Sequence, residues 1–184
     1  MQKACFTQNL ILRTLDAADA LKVLEYFDRN RAFLRPWEPE RGEEFYTANY
    51  HRELLEAEQA EMDAGRMVKF WLFRKDEPER VIGSLAFNNI VRGCFLSCFL
   101  GYRLDAQETG RGYMTEAVLR GAEIMFNECG LHRIEANIIP RNAASLRVAA
   151  KAGFTSEGLA RKYLKINGVW EDHIHMVLLN RDLE

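Results

Sequence analysis

The segment from Gln107 to Tyr113 is the part of the chain whose residue types and spacing point most clearly to chemistry. It joins an apolar stretch to a strongly amphipathic one and contains Gly110 and Gly112. A helix that begins here presents unpaired backbone N–H groups and a partial positive charge, which together bind phosphate. Glycine lets a ligand approach the backbone because it carries no side chain. The segment therefore predicts an anion-binding turn, although a tight strand–helix connection without a ligand would need the same residues.

Two common nucleotide-binding motifs are excluded by the residues around this turn. No Gly-Lys-Ser/Thr follows it, so it is not a Walker A phosphate loop. The Gly-x-Gly-x-x-Gly fingerprint of dinucleotide-binding domains is also absent. A phosphate-bearing ligand bound at this turn would therefore be held by a motif other than these two.

A second informative segment runs from Asn142 to Gly153. Asn142 is typical of a helix N-cap and Gly153 of a C-cap, and Ser145 lies in the first turn between them. A serine at this position either hydrogen-bonds to the local backbone or offers its hydroxyl to a ligand.

The elements that position these segments follow from apolar periodicity and turn residues. We predict a strand over Asn9–Thr14, a helix capped by Asp16 and a second helix over Glu43–Asp63. Two strands should follow, over Met67–Arg74 and Val81–Val91, with a turn at Lys75–Pro78 between them. The next strand, over Cys94–Leu104, should be central in the sheet and covered on both faces. A helix from Gly112 to a cap at Gly130, a strand through Ile134 and Ile138, a helix over Asn142–Gly153, and a hairpin of Tyr163–Ile166 with Val169–Leu178 around Asn167-Gly168 complete the chain. The pattern predicts one mixed α/β domain over residues 1–184.

Composition narrows the class of protein. A net charge of −2 and a pI of about 6.1 do not favour a nucleic-acid-binding surface, and no apolar run is long enough to span a membrane or to form a signal peptide. The four cysteines have neither disulfide nor zinc spacing, so we expect reduced thiols in a cytoplasmic protein. The four histidines have no metal-ligand spacing, and we interpret His173 and His175 as residues of a sheet surface. No metal is expected.

Taken together, the two segments resemble the signatures of the GNAT superfamily of acyl-CoA-dependent N-acyltransferases. Gln107, Gly110 and Gly112 match its Gln/Arg-x-x-Gly-x-Gly/Ala motif, and Asn142–Phe154 matches its second element. The resemblance implies an α/β (α+β) fold with a central, mixed but mostly antiparallel sheet flanked by helices, and acetyl-CoA as co-substrate. The residues that it implies for cofactor binding are Tyr102, Arg103, Leu104, Gln107, Thr109, Gly110, Arg111, Gly112, Tyr113, Met114, Thr115, Asn142 and Ser145.

Within the superfamily, nearly the whole chain is similar to the RimJ/RimL-type ribosomal-protein-alanine N-acetyltransferases, and most of all to their RimJ-like members. The similarity is carried by Arg29–Arg41, Asn89–Gly93, Phe99–Tyr102 and Tyr163–His173. It implies that the block around Phe33–Pro39 covers the entrance for the acceptor, with Phe33 and Trp37 as apolar walls and Glu38 and Asn88 as polar contacts. A packed loop in which Trp37 is a core anchor is the alternative.

The resemblance also implies direct attack of an amine on the thioester, without an acyl-enzyme. The fourth strand of the family separates from the fifth, which would leave a backbone N–H near Tyr102–Leu104 free to stabilise the oxyanion, and Gly101 suits a local bulge. Many relatives carry a tyrosine where this chain has Ala149 and an acid where it has Asn137. The candidate catalytic residues are therefore Ser145, which would hydrogen-bond the departing thiolate, Glu38 or an ordered water as base, and Asn137 at the position of the acid.

Three functions are consistent with the sequence. The first is acetylation of a protein N-terminus (Ala or Ser), such as that of a ribosomal protein. The second is acetylation of a small amine (a polyamine, amino acid or antibiotic), and the third is a non-catalytic acyl-CoA sensor. Residues 38–63 carry a local charge of −7, which would attract a basic peptide if these acids are not simply a solvated face. The oligomeric state is open, a homodimer included.

Overall fold

The computed structural model describes residues 4–184. The described strands are β1 (Ala4–Phe6), β2 (Leu10–Arg13), β3 (Val68–Arg74), β4 (Glu77–Val91), β5 (Ser97–Leu104), β6 (Arg133–Ile138), β7 (Thr155–Ile166) and β8 (Val169–Leu179). The α-helices are α1 (Ala20–Leu34), α2 (Ala48–Asp63), α3 (Tyr113–Asn127) and α4 (Ala143–Lys151). In this part of the chain the strands form one sheet in the order β1-β2-β3-β4-β5-β6-β8-β7. Neighbouring strands are antiparallel except β5 and β6, which are parallel. The predicted fold class, a mixed and mostly antiparallel sheet flanked by helices, is confirmed.

Two apolar cores lie on opposite faces of the sheet. Helices α3 and α4 pack on one face, where residues such as Val118, Met125 and Ala149 meet Leu85 and Ile134. Helices α1 and α2 cover the other face at β3 and β4, and the largest buried side chains of that core are Tyr26, Phe27, Trp71 and Phe73.

Several predicted boundaries were wrong, for local physical reasons. The helix predicted over Glu43–Asp63 is interrupted: Glu43–Tyr46 form a 3-10 turn, and α2 begins after Thr47, whose side chain accepts a hydrogen bond from the N–H of Tyr50. The turn predicted at Lys75–Pro78 is shorter, because β4 begins at Glu77.

The central strand was also predicted too long. β5 begins at Ser97. Gly93 and Leu96 have positive φ angles of 74° and 41°, which are incompatible with the extended backbone of a strand, so residues 93–96 form a loop. The expectation that β5 is covered on both faces was wrong as well, because Phe99 is 37% exposed on the α1–α2 face.

The predicted hairpin turn is confirmed, and its tip contacts the segment that follows α1. Asn167 and Gly168 have φ angles of 48° and 81°, as a two-residue hairpin turn of the favoured twist requires. The Asn167 side chain donates to the carbonyl of Arg35 at 2.7 Å, and Arg141 donates to the carbonyl of Pro36 at 3.3 Å. The segment that follows α1 is therefore attached to the β7–β8 hairpin.

Candidate active site

The two central parallel strands separate in the middle of the sheet. β5 pairs with β6 only at Ser97, Cys98 and Phe99, whereas its pairing with β4 continues to Leu104. Among the described residues, Leu100–Leu104 therefore have no strand partner on the β6 side, which opens a gap that connects the two faces of the sheet. The predicted separation of these strands is confirmed. The bulge expected at Gly101 was wrong, since the register around it is continuous and the irregularity lies between Asn88 and Val91.

The turn at the end of β5 forms an open cradle at the start of α3. Gly110 and Gly112 have φ angles of 78° and 82°, and a Cβ added at either would meet no atom within 4 Å. Gly112 is the N-cap of α3 and provides no side-chain cap, so the first N–H groups of α3 have no capping side chain. The cradle has the positive backbone field and the free space that a phosphate group needs. The residues present therefore fit a pyrophosphate.

Two buried carboxylates, which are paired with arginines, stabilise this turn. Asp105 is fully buried and receives hydrogen bonds from Arg29 at 2.7 Å and Arg80 at 3.1 Å, while Glu108, also buried, contacts Arg111 at 3.2 Å. Burial acts to raise the pKa of Asp105, but the Arg29 guanidinium and the backbone N–H of Gln107 hold it below its usual range. Arg80 also donates to the side chain of Gln107 at 2.9 Å. The side chains of Gln107 and Glu108 thus fix the shape of the cradle.

The other cofactor-binding positions divide between backbone and side chain. Thr109 donates to the carbonyl of Ala106 at 3.0 Å, and Tyr113 and Thr115 lie in the first turn of α3. Met114 is 4% exposed and belongs to the core, so only its backbone N–H is available to a phosphate. The Arg103 side chain lies on the other face of the sheet, where its Nε is 2.6 Å from a Glu38 oxygen.

Ser145 and Tyr102 form a pair of hydroxyls beside the gap. The Asn142 side chain caps α4 by accepting from the N–H of Ser145 at 3.1 Å. The Ser145 hydroxyl donates to the Tyr102 phenol at 2.9 Å, and that phenol donates to the Ser145 carbonyl at 2.9 Å. Burial raises the pKa of Tyr102 to about 12, although the Ser145 hydrogen bond partly opposes the shift. Tyr102 is therefore protonated at neutral pH, and both groups can donate a proton.

A cavity of about 220 Å³ opens on the α1–α2 face of the gap. Register partners project from the same face of a sheet, and Gly101 and Arg103 face this cavity with their β4 partners Ala86 and Ser84. Asn88, predicted as an acceptor contact, also lines it, as do Lys69 and Glu58, which form a nearly buried ion pair. The cavity offers hydrogen-bonding groups at the place where a substrate could reach the gap.

A larger neighbouring cavity of about 570 Å³ lies beneath the segment that follows α1. Glu38 and Arg41 are among its lining residues. The carboxylate of Glu38 is engaged by Arg103 and, at 3.8 Å, by Arg41. Neither of its oxygens can take a proton from an amine without disturbing an ion pair, which weakens the prediction that Glu38 is the base.

The predicted apolar walls lie outside both cavities. Phe33 is 40% exposed on α1, and the Trp37 ring lies under the Arg141 guanidinium at 5.0 Å. Trp37 thus contacts the loop between β6 and α4, where Arg141 also donates a hydrogen bond to Glu171 of β8 at 2.7 Å. The acids of residues 38–63 are also less available than their number indicates, since Glu38, Glu43 and Glu58 each have a cationic partner.

Sequence reasoning missed a cluster on β6 and β8. His175, interpreted as a residue of the sheet surface, places Nδ1 2.9 Å from a carboxylate oxygen of Glu135. Asn137, the register partner of His175, donates to the phenol of Tyr163 at 3.3 Å. The alternation of His173 and His175 was the available signal, but the partner acid lies 40 residues earlier, on a predicted strand whose pairing with β8 no local pattern reveals.

Comparisons with known proteins agree with this geometry. The family model described as an acetyltransferase (GNAT) domain matches residues 9–155. The chain belongs to the GNAT acetyltransferase family. The gap beside β5 and the glycine cradle before α3 are thus the parts of a GNAT domain that this sequence was expected to form.

Individual relatives cover almost the whole chain. It is 39% identical over 177 residues to a probable N-acetyltransferase, YjcK, of Bacillus subtilis (strain 168). That alignment covers 96% of this chain and 97% of the relative. It is 37% identical over 177 residues to the [ribosomal protein uS5]-alanine N-acetyltransferase of Escherichia coli (strain K12), which spans 96% of this chain and 90% of the relative. The structure of Mycobacterium smegmatis RimJ in complex with CoA-disulfide superimposes with a TM-score of 0.91 at 29% identity, covering 98% of this chain and 88% of that one. This GNAT protein is an N-acetyltransferase with RimJ/RimL-type relatives.

None of the described helices is long and apolar enough to cross a membrane. In residues 4–184, no three His, Cys, Asp or Glu side chains are grouped so that they could hold a metal ion.

Proposed function

We propose that this enzyme transfers the acetyl group of acetyl-CoA to the N-terminal α-amine of a protein, with Ala or Ser as the first residue. The observation that carries the proposal is the gap between β5 and β6, which lies between the glycine cradle at the end of β5 and the cavity on the α1–α2 face. The RimJ-type relatives support a ribosomal protein as the acceptor, which would place the reaction in the cytoplasm.

The donor side follows from the cradle and α4. The N–H groups at the start of α3 bind the pyrophosphate of CoA, with Gly110 and Gly112 allowing its close approach. Asn142 and the first turn of α4 lie along the pantetheine arm, so that the thioester reaches the gap beside Ser145. Acetyl-CoA supplies the activated acetyl group, and the chain's own residues bind and orient it.

The residues around the gap have complementary roles in the transfer. A free backbone N–H among residues 102–104 of β5 stabilises the negative charge that develops on the thioester oxygen. Ser145 donates its hydroxyl to the departing sulfur, with Tyr102 behind it as a second protonated group. Hydroxyls in these positions take the place of the tyrosine that many relatives carry where this chain has Ala149.

The preference for an α-amine has a simple energetic basis. Only the neutral amine attacks, and an α-amine with a pKa of about 7.8 requires roughly 1 kcal/mol to deprotonate at pH 7. A lysine side chain with a pKa of about 10.4 requires roughly 4.6 kcal/mol. The segment after α1, tied to the hairpin by Asn167 and Arg141, restricts access to the cavity and favours an extended chain end over a bulky internal side chain.

A panel of acceptors tests the proposal. We expect the enzyme to turn over acetyl-CoA with peptides that begin with Ala or Ser, and to leave the same peptides unmodified when their N-terminus is blocked. Polyamines, free amino acids and aminoglycosides serve as the competing class. Brisk turnover of one of those with no peptide modified would assign the enzyme to small amines, and acetyl-CoA binding without turnover of any amine would indicate a sensor.

A further inference from the structure

The cluster of Glu135, His175, Asn137 and Tyr163 joins β6, β8 and β7 on the α1–α2 face of the sheet. Glu135 is 9% exposed, and one of its oxygens contacts His175 while the other accepts from Arg133 at 3.0 Å. The Tyr163 ring packs against the His175 ring at 4.9 Å, with an interplanar angle of 70°. The imidazole is therefore fixed on two sides, by a carboxylate and by an aromatic ring.

This geometry determines which nitrogen of His175 is available. A carboxylate oxygen 2.9 Å from Nδ1 favours the neutral imidazole tautomer that carries its proton on Nδ1. Nε2 then carries the lone pair, and it is buried without a hydrogen-bond partner among the described residues. The side-chain oxygen of Asn137 is likewise buried and unpaired there. Two unfilled acceptors on register partners are complementary to a group that carries N–H donors.

The two acceptors lie on the acceptor face of the sheet, Asn137 on β6 at the edge of the gap and His175 beside it on β8. Asn137 and His175 are register partners, and Glu135 is paired with Phe99 of β5, so all lie on the α1–α2 face. If the β5–β6 pairing continued past Phe99, Gly101 would lie beside Asn137. Gly101 lines the cavity, and a Cβ added to it would meet no atom within 4 Å, so the space beside β5 at this position is open.

We propose that His175, oriented by Glu135, is the general base that accepts the proton of the attacking amine. The amine nitrogen forms a bond to the acetyl carbon, and its proton passes to Nε2 of His175. The carbon–sulfur bond breaks with its electron pair on sulfur, which takes a proton from the hydroxyl side of the gap. His175 then releases its proton to solvent, and the hydroxyl regains one from solvent, so that both groups return to their starting states. Asn137 holds a second N–H of the amine and so directs its lone pair towards the gap. The inference rests on the acetyl transfer proposed above.

The charged and titratable groups around His175 come from three strands. Glu135 and Arg133 lie on β6, Glu157 and Tyr163 on β7, and His173 on β8 itself. Burial raises the pKa of Tyr163, with a smaller contribution from Glu135, so the phenol stays neutral over the working range. Hydrogen bonds from Arg133 hold the pKa of Glu157 below its usual range, so Glu157 is ionised there. Glu135 is thus the carboxylate in direct contact with the His175 ring.

The test measures kcat against pH for the parent enzyme, His175→Gln and Glu135→Gln, with an Ala-initiated peptide as acceptor. We expect His175→Gln to lower kcat by about 100- to 10,000-fold, the range of a positioned general base, and to remove the acidic limb of the profile. Acetyl-CoA binding, followed by thermal shift, should be unchanged. Glu135→Gln keeps an acceptor for Nδ1 but removes the charge that stabilises the imidazolium, so its acidic limb should move to lower pH.

His132→Gln is the matched control, since His132 also pairs with a glutamate, at 3.5 Å from Glu184, but lies at the opposite end of β6. The kcat and pH profile of His132→Gln should match those of the parent enzyme.

A kcat for His175→Gln close to the parent value, or a low kcat that keeps the parent's acidic limb, contradicts the proposal. If His175→Gln does not fold, an unshifted limb in Glu135→Gln contradicts it. If the parent enzyme acetylates a small amine but no peptide, only the proposal of a peptide acceptor fails, and the same pH profiles are measured with that amine. A parent enzyme that acetylates neither a peptide nor a small amine contradicts both the proposed function and the role of His175.

Discussion

Replacing Gly112 by aspartate is expected to weaken acetyl-CoA binding at least 100-fold, equivalent to about 2.7 kcal/mol. The parent protein at an acetyl-CoA concentration about 100 times its dissociation constant gains roughly 2.7 kcal/mol in free energy of unfolding, and the variant should lose most of it. The carboxylate would lie at the N-terminus of α3, where the cradle is open and a phosphate is expected to bind. The measurement is the shift in melting temperature on titration with acetyl-CoA.

Gly65→Asp is the matched control for this variant. Gly65 also has a positive φ, of 70°, and open space around its Cβ, but it lies after α2 and away from the cradle. Both variants force a non-glycine residue into the left-handed region, which costs about 1 kcal/mol of stability. Only Gly112→Asp should lose the response to acetyl-CoA. An equal response in both variants would show that the turn does not bind the pyrophosphate.

Replacing Ser145 by alanine is expected to lower kcat by about 10- to 100-fold, corresponding to roughly 1.4–2.7 kcal/mol of transition-state stabilisation. The hydroxyl would assist only when negative charge develops on sulfur, so acetyl-CoA affinity should change little. Ser156→Ala, at an exposed position of the edge strand β7, is the control and should keep the parent kcat.

Tyr102→Phe separates the two hydroxyls. It removes the acceptor of the Ser145 hydrogen bond but leaves the serine hydroxyl in place. If Ser145 alone serves the sulfur, kcat should remain near the parent value; if the proton comes from Tyr102 through Ser145, both variants should be impaired. Unchanged turnover in both would return this pair to a purely structural role in fixing α4.

The sequence predicted the parts of the fold that depend on local residue types. Asn142 as the cap of α4, the Asn167-Gly168 turn and the glycine cradle are each determined by the backbone preferences of one or two residues, and the structure confirms them. The interruption at Thr47 was not predicted, because its side-chain cap competes with continuation of an otherwise helical pattern.

The candidate site was predicted only where it follows a contiguous motif. The pairing of His175 with Glu135 and of Ser145 with Tyr102 joins residues that are 40 or more positions apart, and only the register of the sheet and the docking of α4 bring them together. Glu38 illustrates the converse, because its suitability as a base depended on neighbours that sequence spacing does not show. Its ion pair with Arg103 became visible only in the folded chain.

The most direct test of the account is to offer one peptide that begins with Ala and carries an internal lysine, and to locate the acetyl group by mass spectrometry. We expect modification at the N-terminus, at a rate that rises between about pH 6.5 and 8 as the neutral α-amine accumulates. The same peptide with a blocked N-terminus should remain unmodified. Acetylation mainly at the lysine side chain would contradict the proposal that the site is built for a protein N-terminus.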